Sequence, residues 1–176
     1  MNNSYLLVMS LRMKVSFLNV HTVSFFGHRE LRDSLLVEQC LDKLIQKLIR
    51  EKEYVEFLVG REGEFDQLVS STIRRCKRLV RDDNSALIWV LPYATSEFLN
   101  NEESFRQYYD EIEICASAAA GHFKNAYQTR NRDMVNRSDM VVFCIQHESG
   151  GAWQTMKYAQ KQGKQYINVN DWMEGE

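Results

Sequence analysis

The sequence predicts an α/β fold: three layers, with a mostly parallel sheet between two layers of helices. Three observations predict it. Short apolar runs alternate with segments whose apolar residues recur every three or four positions, the pattern of strands joined through crossover helices. The run 86–91 (ALIWVL) is apolar at nearly every position, as for a central strand covered on both faces. Successive runs stop at Gly27, at Gly60 and at Pro92, the one proline in the chain. At 176 residues, 44% hydrophobic and 26% charged, the chain is long and apolar enough for one domain with a sizeable core.

Each element follows in order. Residues 20–26 (VHTVSFF) are β-branched and aromatic and read as the first strand. Asp33 is placed to cap a helix to about residue 52, with Val37, Leu41, Ile45 and Leu48 on one face and Glu38, Asp42 and Lys47 on the other. Residues 54–59 form a second strand. Phe65, Val69, Ile73 and Cys76 then mark a second amphipathic helix, whose basic residues Arg74, Arg75, Lys77, Arg78 and Arg81 are expected on a solvated face. After the strand at 86–91, residues 93–104 read as a polar loop leading to a helix at 103–110. A minor strand at 111–115 and a small-residue linker at 116–121 follow. The remaining pattern is a helix at 124–137, a strand at 140–145, a helix at about 152–162 ending at Gly163, and a last strand at 165–169. Residues 1–19 are read as an N-terminal extension, with Met13 as a second candidate start, and 20–176 as a single domain.

Composition excludes several classes. No run approaches the roughly eighteen apolar residues a membrane helix requires, and the first residues lack the basic region and cleavage site of a signal peptide. A membrane partner is therefore not expected, and the localisation expected is cytoplasmic. Cys40, Cys76, Cys115 and Cys144 are far apart and sit in apolar or helical contexts, so they read as free thiols rather than zinc ligands or a disulfide framework. No metal site and no cofactor are predicted. A net charge of −2 and a pI near 6.1, with no interleaved aromatic and basic residues, argue against nucleic acid as a partner.

In an open parallel sheet, ligands bind beyond the carboxyl ends of the strands. Four polar turns fall there: Gly27-His28-Arg29-Glu30, the stretch from Gly60 through Gly63 to Asp66, Pro92-Tyr93, and His147-Glu148-Ser149-Gly150-Gly151. The last belongs to the stretch 127–159, where an arginine-bearing helix, an apolar strand, a glycine pair and a second helix succeed one another. A helix start leaves its first N–H groups unpaired and its dipole positive there, which suits an anion.

The combination FFGHRE, GREGEFD, LPY, YQTRNRDMVNRSD and GGAWQTMKYAQKQGK resembles the SLOG superfamily. This Rossmann-like group includes the LOG phosphoribohydrolases and the DNA-processing protein of natural transformation. The chain is most similar to the small bacterial and phage SLOG proteins that begin with a GHR motif. The resemblance spans residues 20–169 and implies a nucleotide or nucleotide-derived ligand, with a homo-oligomeric assembly. By this likeness Gly27 admits the ligand to the backbone, His28 contacts base or ribose, and Arg29 offers its guanidinium fork to phosphate. Gly60 and Gly63 shape the second loop, and Asp66 caps the second helix or accepts ribose hydroxyls. Arg130 and Arg132 stand where LOG enzymes carry a functional arginine; Gly150 and Gly151 match the family's phosphate turn, and Thr155 is the hydroxyl of the helix after it.

One departure bears on catalysis. The turn runs GGAWQTMK, with Trp153, Gln154 and Met156 in place of the glycine, threonine and glutamate of LOG enzymes. Without that glutamate, the expected function is binding or sensing of a nucleotide or nucleotide-derived signal. The alternatives are a nucleoside-monophosphate N-glycosidase using Arg130 with a displaced glutamate such as Glu148, Glu62 or Glu64, and single-stranded DNA binding.

Overall fold

The computed structural model of the protein describes residues 18–173; the predicted extension at 1–19 lies almost wholly outside them. Six strands form one sheet: β1 (Val20–Gly27), β2 (Tyr54–Val59), β3 (Ser85–Leu91), β4 (Glu111–Ile114), β5 (Met140–Cys144) and β6 (Gln165–Asn168). Their order across the sheet is β4-β3-β2-β1-β5-β6, and every neighbouring pair is parallel. The chain therefore builds outward from β1 in one direction through β4, then returns to add β5 and β6 on the other side. That reversal makes the β1/β5 boundary the topological switch point, where the loops on either side leave the sheet in opposite directions and open a crevice.

One face is covered by α1 (Ser34–Glu51) and α2 (Glu64–Leu79), with α3 (Ser96–Asn100) and α4 (Glu102–Tyr108) toward the β3 edge. Phe25, Phe57, Phe65 and Trp89 are the largest side chains buried on that side, and Phe98, Phe105 and Tyr109 close around Trp89. The other face carries α5 (Ala116–Ala120), α6 (Ala126–Arg137) and α7 (Gly150–Lys161), which bury Leu58, Ile88, Met134, Val141 and Phe143. A short α8 (Val169–Met173) ends the described chain. Strands buried on both faces explain the unbroken apolar runs.

The predicted elements are present, with local differences. Residues 93–104 are not a plain loop, because Thr95 accepts the Phe98 N–H at 3.2 Å and starts α3. The small-residue linker at 116–121 is helical, as five consecutive small residues allow. The last strand stops at Asn168, and Val169, where it was expected to end, already begins the short α8. Asp33 stands at the start of α1 but makes no side-chain cap bond. The basic face of α2 is only partly solvated. Lys77 is buried and donates to the Ser85 carbonyl and to Asp110, while Arg75 bridges Glu38 and Asp42 on α1.

Candidate functional site

The β1/β5 switch point holds an open cleft of about 530 Å³, within the range of small-molecule sites. The turns after β1, β2 and β5 line it together with one wall of α6. Gly27, His28, Arg29, Gly60, Gly63, Asp66, Arg130, Gly150 and Gly151 are all brought there. Three predicted residues are not. Arg132 is exposed outside the cleft, with its guanidinium over the Tyr158 ring. Thr155 is buried one turn into α7, where its hydroxyl donates to the Gly151 carbonyl at 2.8 Å and accepts from Asn131 at 3.2 Å. It braces the glycine turn from behind. Glu148 is exposed and does not line the cleft.

At the β2 end, Glu62, Asp66 and Arg130 form one network. Arg130 is 3% exposed; it donates to the Val90 carbonyl at 2.7 Å and to Glu62 Oε2 at 3.0 Å, and among the described residues its Nε has no partner. Asp66 lies in the first turn of α2 and reaches back to accept the Glu62 N–H at 2.9 Å. It thus satisfies a backbone donor just ahead of the helix rather than occupying the cap position, which is Gly63. Burial, and then the charge of Glu62, push the Asp66 carboxyl up to about 7. Burial works the same way on Glu62, but the Arg130 guanidinium outweighs it and holds that carboxyl below its usual range. The result is an ionised Glu62 beside a carboxyl that keeps its proton near neutrality.

At the β5 end the chemistry is different. Ser149 precedes α7 but does not cap it; its hydroxyl bonds His147 Nδ1 at 2.8 Å instead. The first N–H groups of α7 are therefore left without a side-chain cap beside the cleft. Gly150 has a φ of +84°, a conformation that side-chain-bearing residues rarely take, so the turn itself requires glycine. His28 and His147 stack face to face, their ring centres 3.7 Å apart, and His28 Nε2 accepts the His147 backbone N–H at 3.4 Å. Burial, and then the neighbouring His147, hold the His28 imidazole below its ordinary value. Arg29 stands exposed between the two ends; among the described residues its guanidinium has no hydrogen bond or ion pair.

Glu62 entered the sequence reading only as a stand-in glutamate, and Asn131, Tyr127 and His147 were given no role, yet all four line the cleft. His147 follows β5 as His28 follows β1, a parallel visible in the sequence once those two strands are known to be neighbours. Asn131 and Tyr127 carry no such signal. Tyr127 forms the lip, its ring 6.0 Å from that of Tyr93, which lies 4.9 Å from Phe123. Phe123 is 70% exposed.

A parallel sheet covered by helices on both faces, with a ligand-sized cleft at its switch point, makes this a Rossmann-like α/β domain. No protein-family model matches the chain, and no curated protein matches it. Among solved structures, its fold is similar to DNA processing protein A from Streptococcus pneumoniae, with a TM-score of 0.59 and 15% identity, over 84% of this chain and 49% of that one. It is also similar to DNA processing protein A from Helicobacter pylori, described for its unique single-stranded DNA binding mode, with a TM-score of 0.57 and 16% identity, over 87% of this chain and 71% of that one. The chain thus spans about half the length of the S. pneumoniae protein.

This likeness corrects the expectation that charge argues against a nucleic-acid partner. A protein described for its single-stranded DNA binding shares the fold. Net charge sums over the whole surface, whereas strand contact is decided locally, and the described fold does set cations beside rings that are distant in sequence: Arg61 lies 4.7 Å from the Phe105 ring centre and Arg74 4.0 Å from that of Tyr108. No helix among the described residues is long and apolar enough to cross a membrane.

Proposed function

We propose that the protein binds single-stranded nucleic acid, seating one nucleotide unit of the strand in the cleft. The phosphate meets the uncapped start of α7 at Gly150 and Gly151, with Arg29 beside it. The strand leaves over the ledge of Tyr127, Tyr93 and Phe123. That ledge is the observation that carries the reading: a closed site for a free small molecule has no use for a 70% exposed phenylalanine continuing its lip, whereas unpaired bases stack on such rings. The fold shared with the DNA processing proteins supports it. By the GHR turn at Gly27, His28 and Arg29 we assign the chain to the small GHR-motif branch of SLOG proteins, with residues 20–176 as one domain.

Fluorescence anisotropy with labelled oligothymidylates over a salt series tests the reading. Binding should weaken as salt rises, and Phe123→Ala should weaken it roughly 5- to 100-fold, the value of one stacked base. Failure of any strand to bind at low salt would sink the proposal. The second reading, a free nucleotide or nucleotide-derived signal, is favoured by the cleft's own volume. It takes over if mononucleotides raise the melting temperature and compete with strands at equal affinity, with Phe123→Ala affecting neither.

A further inference from the structure

A cleft that receives phosphate has no evident reason to hold two carboxyl groups, because each repels the ligand's charge. Glu62 and Asp66 are nevertheless both in the cleft, close enough that a Cβ on Gly60 would collide with Glu62 Oε2 and stand 2.8 Å from Asp66 Oδ2. The Arg130 guanidinium does not remove the problem, since it contacts Glu62 through Oε2 alone. The Arg61 N–H goes to the same oxygen, and among the described residues no N–H reaches Glu62 Oε1, the remaining hydrogen bond of this carboxylate being the one it shares with the Asp66 carboxyl. A second acceptor is idle nearby: Asn131 Oδ1 is buried with no partner while its amide nitrogen is spent on Thr155. Leaving a buried acceptor unpaired costs about 1–3 kcal/mol, so a ligand that brings donors recovers what folding leaves unsatisfied.

We propose that Glu62, Asp66 and Asn131 form a base-reading subsite that selects guanine. The inference rests on the nucleotide-unit reading of the cleft and names the base that unit carries. In a DNA strand the sugar hydroxyls are esterified or missing, so the donors must come from the base. Guanine alone places two adjacent donors, N1–H and N2–H2, beside an acceptor, O6. An ionised Glu62 accepts the two donors, and the Asp66 carboxyl, hydrogen-bonded to Glu62 in the free protein, turns its proton from Glu62 to O6. Adenine presents an acceptor where N1–H is needed, and thymine has no amine. A pair of ionised carboxylates would reject O6; a pair of protonated ones would leave the amine without a strong acceptor. One of each matches the guanine edge, and that is the state the Arg130 contact produces by favouring charge on Glu62.

The experiment compares, on the full chain at pH 6.5, short oligothymidylates carrying one central dG, dI or dA with the all-thymidine strand. One dG should tighten binding roughly tenfold, the scale of a bidentate base contact, and dI, which lacks the N2 amine, should lose most of that gain. Glu62→Gln should remove the dG preference; thermal unfolding checks that the variant folds, and if it does not, the dG and dI comparison on the unaltered protein still decides. Equal affinity for dG, dI, dA and thymidine strands overturns the proposal, and so does a preference for ribose over deoxyribose without regard to base, which would make the carboxyls a sugar site. If no strand binds, the strand reading falls separately, and GMP against IMP and AMP in calorimetry then decides the base: no preference for GMP overturns it.

Discussion

The two ends of the cleft use glycine for opposite reasons. At the β1/β2 end the missing Cβ is space the protein itself fills. A Cβ on Gly27 would fall inside the Phe65 ring, one on Gly63 would stand 2.5 Å from Arg29 Cα, and one on Gly60 would strike the Glu62 carboxylate. At the β5 end nothing lies within 4 Å of where a Cβ on Gly150 or Gly151 would be. One end is packed against itself, and the other is bare. The first set of glycines therefore holds two turns together, and the second keeps a helix start accessible.

Four substitutions would break or sharpen this contrast. The largest effect belongs to the packed end: Arg130→Ala strips the partner from Glu62 and the Val90 carbonyl and should cost about 3 kcal/mol in denaturant unfolding, the lower part of the range for breaking a buried pair because Glu62 keeps some contact with water. Gly27→Ala should cost about 1–3 kcal/mol by forcing the Phe65 ring aside. A Gly27→Ala protein as stable as its parent would mean that α2 shifts freely, and the packed end would no longer differ from the bare one.

Asp66→Asn tests the shared carboxyl pair through pH. An acid whose folded pKa lies above its unfolded value contributes most below the unfolded value, about 3.9, and that contribution is lost as pH rises to about 7. Glu62, held low, acts in the opposite sense and loses its contribution as pH falls below about 4.3. The stability of Asp66→Asn relative to the unaltered chain should thus climb from about pH 4.5 to 7 and level off above it; a flat difference would show that the two carboxyls do not share a proton. The smallest effect on stability is expected at the bare end. Gly151→Ala should stay within about 0.5 kcal/mol, since a side chain there meets nothing, while strand binding measured by anisotropy falls.

Most of this fold was legible in the sequence. The alternation of apolar runs and amphipathic stretches located β1, β2, β3 and β5 to within a residue or two, and glycines at strand ends marked the turns that meet in the cleft. The short helices α3, α5 and α8 were missed because each is five residues long, too short to show a period. The site was read less completely. Arg132 was singled out for its place in an arginine-rich run, but two residues along a helix from Arg130 is about 200° around its axis, on the opposite side, and the side chain points to Tyr158 instead. Glu62 could not be weighed against Glu64 from sequence. One faces Arg130 across the cleft, and the other is turned to the Leu31 N–H, a choice made by where α2 begins.

The stacked imidazoles of His28 and His147 give the cleft a built-in reporter. Each aromatic ring lies within the local magnetic field of the other, so their carbon-bound protons should resonate away from the positions of an isolated histidine. His28 moves with the end of β1 and His147 with the approach to α7, and a ligand entering between those elements need part the rings only slightly to change both signals. With only four histidines in the chain, such a spectrum would be simple enough to follow occupancy at the switch point without attaching any label to the protein.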